Sequence, residues 1–225
     1  MPIKATHQFT SWSFSRYNDW ATCAFRAKLK HLDKLKEPEG PALARGSQIH
    51  KLAEDYATGR LPKLPVELKL FKEEFTVLRA NRKRLLVEQQ WALNVKWEPT
   101  GWFDRDAWVR IVIDVGSPDA KQTVLDLIDH KTGKIREVSK EQLTLYAIAG
   151  FAQMPTLKLL NAKLWYLDAG EEITEQYKPA DVPALKKKWE ARVKPMLADT
   201  KFKPTPNEGC RWCHFRKGNG GPCKY

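Results

Sequence analysis

Long apolar runs are missing from this sequence. Its longest uncharged stretch, Gln142 to Leu157, has 16 residues and includes Gln, Thr, Gly and Pro. A bilayer-spanning helix needs about 20 predominantly apolar residues, so a helical membrane span is excluded. The opening residues, MPIKATHQFTSWSF, contain no apolar export segment, which makes the cytoplasm the expected location. Internal repeats and low-complexity tracts are also lacking, so neither a solenoid nor a compositionally biased tail is expected. Cysteines are scarce, and the four present are not spread as a disulfide framework would be.

Aromatic residues, by contrast, are plentiful. Nine Trp and nine Phe in 225 residues supply more burial than a solvated chain carries, so a folded chain is expected rather than a disordered one. The length suits a single domain over 1–225 with a real core. Lys and Arg number 39 against 27 Asp and Glu, a net of +12, and the excess lies at the two ends. Residues 1–36 carry 7 basic and 2 acidic side chains, and residues 186–225 carry 11 and 3, whereas the middle is close to neutral. A positive field attracts polyanions, and neutralised phosphates release counterions, so nucleic acid is the first partner to consider; a soluble basic protein without such a partner is the alternative.

Three of the cysteines, Cys210, Cys213 and Cys223, form C-x2-C-x9-C near the end, and Cys23 lies near the start. In a reducing compartment C-x2-C more often marks a metal site than a disulfide. An all-thiolate shell of four would hold zinc or an iron–sulfur cluster and would clamp the two basic ends together. Cys23 as a buried thiol, the trio with His214 on zinc, and a loose tail are the competing readings.

Periodicity predicts helices over 13–32, 42–58 and 64–80, the last after the Pro-rich LPKLP turn. Three strands follow, Leu85–Val95, Ala107–Val115 and Thr123–Lys131, separated by Gly- and Pro-containing turns. Next come a helix near Lys140–Ala152, strands at Leu157–Leu167 and Ile173–Lys178, and a helix near Val182–Ala198 with Asp181 as its cap and Pro183 in its first turn. The order describes an α/β or α+β domain with a mixed central sheet flanked by helices. Within it, 1–80 is a helical segment, 85–180 the sheet core and 181–225 a helix with a cysteine-rich tail.

The chemistry-bearing residues gather in the sheet core. Side chains alternate along a strand, so Asp129 and Lys131 share one face and Asp126 and His130 the other. The apolar run Val109–Val115 carries Asp114 near its end, where a carboxylate is costly unless compensated. A hairpin between these strands brings Asp114 toward Asp129, with Lys131 beside them. Two carboxylates holding a divalent ion, plus an ammonium beside the phosphate, suit metal-assisted phosphodiester hydrolysis. Two strand-end aspartates in turns with a pairing lysine would leave the same trace in sequence, and the spacing alone does not separate the two.

Several segments resemble motifs of the PD-(D/E)XK nuclease superfamily: V-R-I-V-I-D (Val109–Asp114), L-I-D-H-K-T-G-K (Leu127–Lys134) and E-Q-L-T-L-Y-A (Glu141–Ala147). The nearest branch is the RecB-type nucleases, including AddB and the CRISPR-adaptation iron–sulfur nucleases. S-F-S-R-Y-N-D-W-A-T-C (Ser13–Cys23) is similar to the stretch ending in that branch's first cluster cysteine, and R-G-S-Q-I-H (Arg45–His50) to the helix carrying its metal histidine. The resemblance implies a restriction-endonuclease-like core and a Mg2+- or Mn2+-dependent deoxyribonuclease, an exonuclease on single strands or DNA ends. His50, Asp114 and Asp129 would hold the ion, with the His130 backbone carbonyl as a further ligand. Lys131 would be the catalytic lysine, and Gln142 and Tyr146 would position the scissile strand. Cys23, Cys210, Cys213 and Cys223 would ligate a 4Fe-4S cluster. The implied partners are DNA and a helicase, recombinase or CRISPR integrase, since a chain this short has no room for its own helicase motor. The x9 spacer before Cys223 is longer than that branch's usual loop.

Plainer roles stand beside these. Without the resemblance, His50 among Ile49, Ala53 and Tyr56 reads as a core or surface histidine rather than a ligand. Ser139 and Gln142 match a capping box, Tyr146 reads as core packing, and Glu88 as a solvated strand residue with an outer metal or water contact as its alternative. Arg16, Arg211, Trp212, Arg216 and Lys217 mix cation and ring in a way that suits single-strand DNA. A non-catalytic DNA-binding or assembly module on the same fold, and a zinc-stabilised nuclease, are the alternative functions.

Overall fold

A computed structural model describes residues 8–135 and 139–225. The chain forms two compact units, one made of residues 1–39 and 187–225, the other of residues 40–186.

The second unit is built on a six-stranded sheet. Its strands are β1 (Leu86–Leu93), β2 (Pro99–Thr100), β3 (Val109–Pro118), β4 (Val124–Lys131), β5 (Leu159–Tyr166) and β6 (Glu171–Tyr177), in the order β2-β1-β3-β4-β5-β6. β4 and β5 pair in parallel and every other pair is antiparallel. A parallel pair needs a crossover, which the helix Lys140–Gln153 supplies. The expected mixed sheet flanked by helices is therefore present. The two-residue β2 falls where the sequence offers only a turn signal, because its pairing comes from β1 rather than from local pattern.

The faces of the sheet follow from alternation along β4. Leu125 and Leu127 turn toward the crossover helix and pack near Gly150, where an added Cβ would stand 2.3 Å from Leu160 Cδ1. Glycine there lets the helix lie directly on β5. On the opposite face, Ile128 joins Val115 and Trp165 in a buried cluster with Ile49, Ala53, Phe71, Phe75 and Leu78. Those partners come from the helix Pro41–Thr58, a 3-10 turn Val66–Phe71 and the helix Lys72–Ala80. The first of these helices starts on Pro41 and stops at Gly59 with φ +88°, the left-handed stop that glycine permits. The expected helix over 64–80 divides at Phe71 into the 3-10 turn and the helix proper.

In the first unit, the expected helix over 13–32 breaks. It runs Phe14–Thr22, is extended at Cys23 (φ −160°), and resumes as Ala24–Ala27 followed by a π-turn to Leu32. No Pro or Gly announces the break. Trp189, on the last helix (Val182–Ala198), is fully buried and meets Trp12, Phe14 and Tyr17 at ring separations of 5.3, 6.2 and 5.4 Å. Phe9 and Phe202 pack edge-on at 5.7 Å, and Trp20 Nε1 donates to Asp199 Oδ2 at 2.9 Å.

Asp19 is the polar hub of this unit. It receives His31 Nε2 at 2.7 Å, Lys30 Nζ at 2.9 Å and Arg26 Nη1 at 3.3 Å. Burial alone would raise its pKa, but the bonds to His31 and Lys30 and the nearby positive charges outweigh that and lower it. A lowered folded-state pKa contributes stability that is present above the unfolded value, about 3.9, and is lost as pH falls through the folded one. Asp19→Asn is therefore expected to destabilise the chain at pH 7, with the gap to wild type closing below about pH 4. Urea unfolding of both proteins across that range checks it, and a gap independent of pH contradicts it.

Candidate metal centre

The site forms where β3 and β4 part. Their pairing runs from Pro118↔Leu125 to Val115↔Ile128 and stops there, with Asp114 and Asp129 the next residue of each strand. The strands splay at that step. The Asp114 carboxylate fills the gap by accepting the His130 backbone N–H at Oδ2, 2.8 Å away. A buried amide beyond the ladder needs an acceptor, and the side chain provides one.

His50 reaches the same carboxylate from the helix Pro41–Thr58, with Nδ1 3.3 Å from Asp114 Oδ2. The His130 ring lies on the other side, its Nδ1 3.8 Å from that oxygen, too far for a hydrogen bond. One ligand atom each from His50, Asp114 and His130 lies within 4.8 Å of the other two, which makes these three residues a candidate metal-binding triad. His130 is walled in by Phe75 and Trp165, at ring separations of 5.4 and 5.8 Å, and its Nε2 is buried without a hydrogen-bond partner. Burial, assisted by the charges of His50 and Lys131, pushes its pKa down to about 3. Burial likewise lowers that of His50, against the pull of Asp129. Both imidazoles are thereby held neutral near pH 7, the form that donates a lone pair to a metal.

Asp129 stands beside this triad rather than within it. Its Oδ1 accepts the Tyr146 hydroxyl and Gln142 Nε2 (3.0 Å), and Gln142 Nε2 also reaches the Tyr146 oxygen at 2.7 Å. Its Oδ2 lies 2.5 Å from Lys131 Nζ as an ion pair but receives no aligned hydrogen bond. Lys131 Nζ donates instead to Gln142 Oε1 at 3.0 Å. Burial raises the Asp114 pKa well above the ordinary carboxylate value, and the negative charges of Asp129 and Glu88 add to the rise. Burial and Asp129 also hold the Tyr146 phenol far above its usual value, so it is a donor and not an anion.

The donor set fits a divalent cation. Two neutral imidazoles and a carboxylate converge, a buried imidazole nitrogen lacks a partner, and two carboxylates repel each other at the strand junction. Such a set accommodates Mn2+, Mg2+ or Zn2+.

The structure thus brings His50, Asp114, His130, Asp129, Lys131, Gln142 and Tyr146 together. The expected role of His130 changes: its ring, and not only its backbone, belongs to the metal-competent group. Alternation along β4 sends that ring to the opposite face from Asp129, but the splay lets Asp114 reach across. The capping-box reading of Ser139 and Gln142 is not realised. Ser139 makes no side-chain cap bond, which leaves the Gln142 amide for Lys131, Asp129 and Tyr146. Glu88 is exposed, adopts φ +49°, and its charge acts on the Asp114 carboxylate.

The expected 4Fe-4S cluster, with zinc as its alternative, is corrected by the structure. Among the described residues, the ligand atoms that converge are those of His50, Asp114 and His130, and the four cysteine sulfurs do not form such a group. Cys23, Cys210, Cys213 and Cys223 are free thiols in the first unit. Cys23 Sγ faces the Thr205 amide at 3.5 Å and Cys210 Sγ the Asn207 amide at 3.4 Å. Cys213 ends the 3-10 turn Glu208–Trp212, and the Cys223 backbone pairs with Phe215 and Lys217. The C-x2-C spacing allows two thiols to share a turn but cannot by itself make four sulfurs meet.

The basic residues named from the sequence also lie in the first unit. Trp212 is 74% exposed with Arg211 5.4 Å above its ring, and Lys217 is exposed. Arg216 is half-buried. Arg16 is turned inward onto the Ser11 carbonyl at 2.7 Å and the Phe9 ring. Among the described residues no helix is long and apolar enough to cross a membrane.

Two solved structures share the fold. A protein described as SSO0001 aligns over 97% of this chain and 89% of its own, with a TM-score of 0.50 and 14% identity. A candidate exonuclease from Eubacterium rectale aligns over 95% and 90%, also with a TM-score of 0.50 and 14% identity. No curated protein sequence matches the chain. The family profile of the PD-(D/E)XK nuclease superfamily matches residues 11–217, a span that includes the whole strand-junction site, and the chain belongs to that superfamily.

Proposed function

We propose that this chain is a divalent-metal-dependent deoxyribonuclease of the RecB-type branch, acting as an exonuclease on single-stranded DNA or DNA ends. The observation that carries the reading is the junction of β3 and β4, where a cation-ready triad sits against a lysine held by two polar partners.

His50, Asp114 and His130 would hold the ion, with Asp129, whose Oδ2 is ion-paired to Lys131, beside them. A bound divalent ion supplies Lewis-acid polarisation of the phosphoryl oxygen and a low-pKa water. The imidazole content favours Mn2+ over Mg2+. Lys131, fixed by Asp129 and Gln142, would offer positive charge where the phosphate gains negative charge. Gln142 and Tyr146 fix Asp129 from the helix Lys140–Gln153, so the carboxylate and the amine keep one relative orientation. The alternation of β4, which places Asp129 and Lys131 on one face, is what makes that pairing available.

Charge supports a polyanionic substrate. The unit of residues 1–39 and 187–225 carries 17 basic and 7 acidic side chains, +10 of the chain's +12. Arg211, exposed Trp212 and Lys217 in that unit offer stacking and phosphate contacts to a single strand. The test is digestion of end-labelled single- and double-stranded DNA with Mn2+, with Mg2+ and with EDTA. Metal-dependent release of short products from ends is expected. Binding without cleavage under every metal condition points to the non-catalytic DNA-binding module instead.

A further inference from the structure

The segment after Lys131 is held by a clasp outside the site itself. Arg45, on the helix that carries His50, meets Asp168 in the β5–β6 turn with both guanidinium arms: Nη1 lies 2.9 Å from Oδ2 and Nη2 2.6 Å from Oδ1. The same Oδ2 accepts the Gly133 N–H at 2.7 Å. One residue earlier in that turn, the Leu167 N–H donates to the Lys131 carbonyl at 2.9 Å. The Lys131–Gly133 segment is therefore tied at both ends to consecutive residues, Leu167 and Asp168.

Two further features show close fitting. Gly133 has φ +82°, a conformation that glycine adopts without strain. Gly46, beside Arg45, faces Thr132 so closely that an added Cβ would stand 3.3 Å from its Oγ1. The helix of His50 and the strand end of Lys131 thus approach within side-chain contact, and Asp168 joins them through Arg45 on one side and Gly133 on the other.

Both partners are partly exposed, with side chains 52% and 30% accessible, and an ion pair in that setting adds little to global stability. Its geometry adds more, because a two-armed Arg–carboxylate pair fixes orientation as well as distance. We infer that Arg45 and Asp168 are positioning residues that set the Lys131 ammonium relative to the helix carrying His50. The inference rests on the reading of Lys131 as the amine that serves phosphodiester cleavage. Displacement of a reacting group by about 1 Å can cost on the order of a hundredfold in rate, so loosening one tether of two is expected to cost about tenfold.

The experiment is steady-state cleavage of single-stranded DNA with Mn2+ by wild type, Asp168→Ala, Asp168→Asn, Lys131→Ala and the Lys131→Ala/Asp168→Ala double variant. Asp168→Ala is expected to lower kcat about tenfold, with KM within about twofold of wild type and an unchanged thermal midpoint. Asp168→Asn, whose amide oxygen still accepts the Gly133 N–H but whose amide nitrogen cannot accept the second guanidinium arm, is expected to fall between Asp168→Ala and wild type. In the Lys131→Ala background the Asp168 substitution is expected to cost nothing further, because its effect passes through the missing amine. An equal loss in both backgrounds, or a raised KM with unchanged kcat, overturns the inference. So does an Asp168→Asn rate as poor as that of Asp168→Ala, which decides the matter where Lys131→Ala turnover is below detection. Wild-type rates in Asp168→Ala remove the clasp and leave the nuclease reading standing, whereas a wild-type chain with no metal-dependent cleavage removes both.

Discussion

Asp114→Asn is expected to lower metal-dependent DNA cleavage by about a thousandfold or more while leaving the metal-free fold at least as stable as wild type. The two halves of that result have separate causes. Asparagine keeps an oxygen for the His130 N–H, so the strand junction retains the bond that closes its splay. It removes a charge that burial and Asp129 both oppose, as the raised Asp114 pKa records. An ionised Asp114 at neutral pH therefore costs folding energy in the absence of a cation. The same substitution takes from His50 and His130 the only anionic member of their donor set. Cleavage assays with Mn2+ and thermal unfolding in EDTA read the two effects. Retained cleavage contradicts the metal assignment, and a large fall in the EDTA midpoint shows a structural role for the carboxylate instead.

Lys131→Ala is expected to reduce kcat by about a hundredfold to a thousandfold, the usual range for loss of one preorganised group that stabilises transition-state charge. KM should change little, because the DNA contacts proposed for Arg211, Trp212 and Lys217 are made elsewhere in the chain. The amine is tied to Gln142 Oε1 and faces Asp129 Oδ2, so on the proposed reading it would meet a phosphate already ordered. Lys131→Arg is a useful contrast. It preserves charge but replaces a compact ammonium with a longer planar fork of different donor geometry, so it should recover little of the rate. Full activity in Lys131→Arg would show that charge alone suffices. Full activity in Lys131→Ala would remove the lysine from the chemistry.

The strand junction was legible in the sequence because two rules act locally. Period-two alternation places Asp129 and Lys131 on one face, and the β3–β4 pairing, which ends at Val115↔Ile128, leaves Asp114 and Asp129 as the next residue of each strand. The helix Pro41–Thr58 was legible from its apolar periodicity. The role of the His130 ring was not, because that ring comes beside Asp114 only past the last β3–β4 pair, and the end of pairing has no signature in periodicity. Phe75 and Trp165, which bury that ring and hold it neutral, lie 55 residues before it and 35 after it. The break at Cys23 carries no proline or glycine to mark it. The Arg45–Asp168 clasp joins residues 123 apart, and nothing in local pattern pairs them. The cysteines misled for a related reason: short spacing speaks of neighbours in a turn, whereas a four-sulfur shell is a property of tertiary placement.

The most direct measurement is calorimetric titration of the chain with Mn2+, alongside His50→Ala and Asp114→Asn. One ion per chain for wild type, with binding lost or weakened at least tenfold in each variant, is the predicted result. Undetectable wild-type binding, or wild-type affinity in both variants, contradicts the claim that the β3–β4 junction is a metal centre.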